Sequence, residues 1–217
     1  MNAPTPAAAP KVALILKIDT LGDLVLFAPT LRALRAAWPQ TRLVVLIRRA
    51  YADLAPQLVA HIEWLATSLD PFANGPDADA AELARVREAI AALAPELIAA
   101  ASSRRHWPDV ALAAAAPSAR RLSLGAAIDD TFFAAQLHLR LGLRAAEVFR
   151  ETIALPADEP DWQRNFRLAD ALLGGTVART PPALAVANST RDAATTFLAG
   201  QKLPRRAAQQ RTQPLLG

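Results

Sequence analysis

Residues 12–16 (VALIL) form an unbroken apolar run, and the polar turn that follows it carries Lys17, Asp19, Thr20, Gly22 and Asp23. No other stretch constrains the fold as tightly. An apolar run without alternation suits a strand covered on both faces, as at the centre of a parallel sheet, better than a half-exposed one. Lys17 and Asp19 bring charge to its carboxyl end. Gly22 lets the backbone turn tightly or approach a ligand closely, and Asp23 stands where a carboxylate could cap the next helix. That helix is predicted to run to Trp38 with a kink near Pro29. Doubly wound sheets hold ligands outside the carboxyl ends of their strands, so residues 17–23 are the first candidate site.

The same alternation continues along the chain. Strands are predicted at 42–47, 62–66, 97–101 and 121–124, with a short extended piece at 152–155. Helices are predicted at 51–58, 79–93, 108–116, 131–141 and 160–173. Leu83, Val86, Ile90 and Leu93 fall at helical spacing. Gly142 and the pair Gly174-Gly175 are stop signals. Strands alternating with helices argue for an α/β fold, a Rossmann-like parallel sheet with helices on both faces. In the order 3-2-1-4-5, Arg48, Arg49, Arg104 and Arg105 follow strands and share a rim with Asp19 and Asp23, whereas Arg120 and Arg121 precede a strand and lie elsewhere. Guanidinium groups beside a carboxylate suit an anionic substrate.

Composition removes several classes of function. The chain has no cysteine, which excludes disulfides, thiolate metal sites and a cysteine nucleophile. His61, His106 and His138 lack metal-ligand spacing, and Asp129-Asp130 reads as a helix start. No metal is therefore expected. No apolar run reaches the roughly 18 residues of a membrane span. Residues 1–10 read as a disordered leader without a signal peptide, which makes the cytoplasm the default compartment. The net charge of +4 comes entirely from residues 183–217, which hold five basic residues and one acidic, while residues 1–182 balance at 19 of each. A nucleic-acid partner is not expected. Motifs for a P-loop, a nucleophile elbow and G-x-G-x-x-G after the first strand are all absent.

The run KIDTLGDLVLFAPTLRAL at 17–34 resembles the opening of the family 9 glycosyltransferases, the lipopolysaccharide heptosyltransferases: a hydrophobic strand, a basic residue, a polar turn, Gly-Asp, an apolar stretch, Pro and a leucine-rich helix. The likeness continues more weakly through 42–47, 95–107 and 147–174. It implies a GT-B architecture of two Rossmann-like domains, with residues 11–182 as the first, acceptor-side domain. Asp23 would then be the general base, with Lys17, Asp19, Thr20, Gly22, Arg104 and Arg105 around the substrate. It also implies an ADP-heptose donor without a cofactor, a phosphorylated lipopolysaccharide core precursor as acceptor, and peripheral contact with the inner face of the inner membrane. Residues 183–217 depart from the pattern. Asn188-Ser189 stands in place of Pro-Gly, Thr195 in place of a lysine and Phe197 in place of a tryptophan at the donor site. This segment is expected to be an incomplete start of the donor domain, mostly disordered, and the chain alone is expected to be inactive. The alternative is a non-catalytic Rossmann-like module that binds an anionic glycolipid, a nucleotide or a partner protein, with Asp23 only capping a helix.

Overall fold

In the computed structural model of the protein, residues 8–72, 79–103, 106–125 and 131–183 are described, together with Asp192 and Thr196; the side chains of 131–133 are not. The chain divides into two compact units, Met1–Leu184 and Ala185–Gly217. In the second, Asp192 and Thr196 are helical and exposed.

Among the described residues, the first unit holds a six-stranded parallel sheet in the order β3-β2-β1-β4-β5-β6. Strand β1 (Val12–Lys17) leads into α1 (Leu21–Ala37), and β2 (Arg42–Arg48) into a 3-10 turn (Arg49–Tyr51) and α2 (Ala55–Leu58). Strand β3 (Glu63–Thr67) precedes α3 (Ala80–Leu93), β4 (Leu97–Ala100) precedes α4 (Trp107–Ala113), and β5 (Arg120–Leu124) precedes α5 (Thr131–Leu141) and α6 (Ala145–Val148). The last elements are β6 (Glu151–Ile153) and α7 (Asp161–Leu173). The extended piece expected at 152–155 is thus a sixth strand paired with β5, and α6 was not legible in the sequence.

Alternation along β1 explains the two layers. Ala13 and Ile15 join one core with α1 and α7, while Leu14 and Leu16 join a second with α3 and α4. On α1, Leu24, Phe27, Leu31 and Leu34 are fully buried at helical spacing, and burying each contributes about 1.5–3 kcal/mol. The helix continues through Pro29, whose missing N–H cannot bond the carbonyl one turn earlier. Gly142 and Gly174 adopt positive φ at the ends of α5 and α7, as expected of stop residues.

The two edges of the sheet differ in chemistry. At the amino edge, Arg42 grips Glu63 through two bonds of 2.8 Å, and Arg120 grips Glu151 at 2.9 and 2.7 Å. Each pair joins the first residues of neighbouring strands. At the other edge, Glu82 in the first turn of α3 ties the helix to the end of β3: its Oε1 accepts from the Thr67 hydroxyl and the Ser68 N–H, each at 2.9 Å. Arg85 donates to both of its oxygens at 2.6 and 2.7 Å. The Arg85 bonds, aided by those from Ser68 and Thr67 and opposed by burial, hold the Glu82 carboxyl at about 2, well below its ordinary 4.5.

A carboxyl group depressed by folding stabilises the protein above its unfolded value, and that contribution disappears as pH falls through the folded value. Denaturant unfolding of wild type and Glu82→Gln should therefore show wild type more stable at pH 7, with the gap closing between about pH 4.5 and pH 2. A gap independent of pH would show that Glu82 stabilises the fold by packing alone.

Candidate functional site

Residues 17–23 lie at the carboxyl end of β1, beside the point where the chain order reverses between β1 and β4. Crevices of this kind open at such reversals. Lys17 closes the strand but does not reach solvent. It is 2% exposed, and its ammonium donates to Asp19 Oδ2 at 2.7 Å and to the carbonyl of Ala101 at 3.1 Å, with the Phe27 ring centroid 5.3 Å away. Asp19 is also buried, and its Oδ1 has no partner among the described residues.

Thr20 is the N-cap of α1, and Asp23 is its third helical residue. The two form a capping box: the Asp23 N–H donates to Thr20 Oγ1 at 3.3 Å, and Asp23 Oδ2 accepts from the Thr20 hydroxyl at 2.6 Å and the Thr20 N–H at 3.3 Å. The cap expected of Asp23 is therefore shared, with Thr20 in the leading position. All three bonds leave Asp23 Oδ1 without a hydrogen-bond partner among the described residues, on a residue that is half-buried. Gly22 is exposed in the first helical turn, has no positive φ, and a Cβ there would meet nothing closer than Thr20 Oγ1 at 3.7 Å. The backbone does not require glycine here. Its effect is to leave the surface next to Asp23 bare.

The rest of the rim is mixed. Arg48 and Arg49 lie at the carboxyl end of β2 but face acids, Asp70 at 3.7 Å and Glu82 at 3.9 Å. Arg104 and Arg105 lie outside the described residues, as do Asp129, Asp130, Asn188, Ser189, Thr195 and Phe197. Arg120 is at the amino edge, as expected. Ser102, just past β4, is buried with its hydroxyl unpartnered among the described residues. A Cβ on Gly125, at φ +75°, would come within 2.1 Å of the Ser103 carbonyl, so only glycine lets the exits of β4 and β5 pass this closely. The sequence signal for Ser102, a polar pair directly after an apolar strand, was present. The engagement of Lys17 by a main-chain carbonyl had no such signal.

Among the described residues, no group of three or more His, Cys, Asp or Glu is placed to hold a metal, and no helix is long and apolar enough to cross a membrane. Chemically, the site offers one partly exposed carboxylate with a fixed orientation and an open oxygen. Such a group can accept a proton from a hydroxyl within hydrogen-bond reach.

No protein-family model and no curated protein matches the chain. Solved structures do. A family 9 glycosyl transferase from Veillonella parvula DSM 2008 is similar over 90% of this chain and 51% of its own, with a TM-score of 0.62 and 15% identity. The E. coli heptosyltransferase WaaC is similar in a structure with ADP-2-deoxy-2-fluoro heptose, over 89% of this chain and 55% of its own, with a TM-score of 0.53 and 18% identity. Its structure with ADP gives 87% and 53%, 0.53 and 17%. The chain has the fold of these glycosyltransferases. It spans about half the length of each.

Two substitutions separate backbone need from surface need at this turn. Gly22→Ala should raise stability by up to about 0.5–1 kcal/mol in denaturant unfolding. Thr20→Val should lower it by about 1 kcal/mol, with Thr20→Ser restoring most of the loss. Destabilisation by Gly22→Ala would mean that the turn depends on glycine for its shape.

Proposed function

We propose that the chain is the acceptor-side part of a heptosyltransferase-like glycosyltransferase, with Asp23 as general base. The observation that carries this reading is Asp23 itself, a half-buried carboxylate fixed through Oδ2 and open at Oδ1, at the switch point of a fold shared with heptosyltransferases. An acceptor hydroxyl bound at the rim gives its proton to Asp23 as its oxygen bonds to the anomeric carbon of the donor sugar. The bond from that carbon to the phosphate oxygen breaks, and the nucleoside diphosphate leaves with the electron pair. The two E. coli WaaC structures carry ADP-2-deoxy-2-fluoro heptose and ADP, which supports ADP-heptose as the donor. The resemblance of residues 17–34 supports a phosphorylated lipopolysaccharide core precursor as the acceptor. A cytoplasmic protein working at the inner face of the inner membrane accords with such an acceptor, and the donor would be presented by a second Rossmann-like domain. Arg104 and Arg105 follow β4 and are proposed for the anionic group of the acceptor.

A second reading has its own observation in favour. Asp23 completes a capping box, which accounts for its presence without chemistry. On that reading the chain is a non-catalytic module for an anionic glycolipid, a nucleotide or a partner protein.

Transfer from ADP-heptose to a phosphorylated inner-core fragment, assayed with the donor-side domain present, separates the two. Asp23→Asn should lower kcat by about 10²–10⁴ while leaving acceptor affinity within a few-fold, because a base need not add ground-state binding. Unchanged kcat in a folded Asp23→Asn variant would leave Asp23 as a cap alone.

A further inference from the structure

We propose that Lys17 and Asp19 form a strut that positions the Thr20–Asp23 turn, and that neither side chain contacts substrate. Only the link to catalysis rests on the function proposed above; the strut stands on geometry. An ammonium has three N–H groups. That of Lys17 spends two on Asp19 Oδ2 and the Ala101 carbonyl, against the ring of Phe27, and the residue is 2% exposed. Capture of an anion from solution would require breaking a buried ion pair, which is costly when one partner is left alone.

The position of the bonds explains what they do. The Ala101 N–H donates to the Leu16 carbonyl at 3.0 Å, the last backbone rung between the segments that end β1 and β4. The Lys17 side chain adds one further link just beyond that rung. Ile18 is fully buried in the core of the opposite face, with α3 and α4. The chain leaving β1 is thus held on both faces through Asp19, one residue before the N-cap. The capping box carries that constraint on to Asp23. Asp19 also neutralises Lys17 and holds its ammonium in a bond of 2.7 Å, so the nearest lysine in sequence is not available to pair with the Asp23 carboxylate. In this arrangement Lys17 and Asp19 are positioning residues for the candidate base.

The test uses the full chain with Lys17→Met, Asp19→Asn and the double substitution, read by thermal melting and by amide hydrogen exchange. Each single change should lower the melting temperature by about 10 °C, and the double by less than the sum, because it removes both buried charges together. In the folded double variant, the amides of Asp23 and Leu24, bonded to the Thr20 hydroxyl and carbonyl, should exchange about tenfold faster while those of β1 keep their protection. Additive melting shifts, or unchanged exchange at Asp23 and Leu24, would overturn the strut. Calorimetry with a phosphorylated inner-core fragment supplies the remaining arm. The double variant should bind within a few-fold of wild type, and a loss of about tenfold or more, equal to 1.4 kcal/mol, would make Lys17 or Asp19 a substrate contact and overturn the proposal. Failure of wild type to bind the fragment would count against the proposed function, and melting and exchange would still decide the strut.

Discussion

Parallel pairing of β1 with both β2 and β4 buries residues 13–17 almost completely, and the rest of the molecule follows from that constraint. A strand enclosed on two edges and two faces has no room for polar chemistry along its length. Helices must cover both faces, which α1 and α7 do on one side and α3 and α4 on the other. Polar groups are displaced to where the strand ends. At the carboxyl end they meet the first turn of α1, whose unpaired N–H groups need a cap and favour negative charge.

The distribution of ion pairs reinforces this asymmetry. Arginine and glutamate forks stitch neighbouring strands along the amino edge, each arginine paired to its glutamate through two hydrogen bonds. At the carboxyl edge, Arg48, Arg49 and Arg85 are also engaged by acids, and Lys17 by Asp19. Asp23 differs from these carboxylates in having a threonine for its partner, which fixes its direction without cancelling its charge. A carboxylate held by neutral donors keeps both a charge and an open oxygen, the combination a general base requires.

Much of this was legible in the residues themselves. The apolar runs of β1, β2 and β4 and the periodic stripe of α3 carry unambiguous patterns, and the right-handed connection of parallel strands orders them. Short elements were less legible: β6, at Glu151–Ile153, has too few residues to show a period, and its place is set by pairing with β5. The helix expected at 51–58 is shortened to α2 at Ala55–Leu58, and the 3-10 turn at Arg49–Tyr51 carries no distinct signal in local composition. In the site, residues 17–23 could be found from the strand-to-helix change, but the direction of each side chain could not. Lys17 reads as a rim cation in sequence, and its burial depends on a carbonyl 84 residues away. Thr20 reads as an ordinary turn residue. Its role as cap and as partner of Asp23 depends on where the helix begins.

The central claim, that an acceptor sugar meets the carboxyl edge of the sheet beside Asp23, is most directly tested by backbone NMR of the labelled chain titrated with a phosphorylated inner-core fragment. Shifts that concentrate on the turn from Lys17 to Leu24 and on Ala101 to Ser103 would agree with it. Shifts confined to the amino edge around Arg42, Glu63, Arg120 and Glu151, or none at saturating fragment, would contradict it.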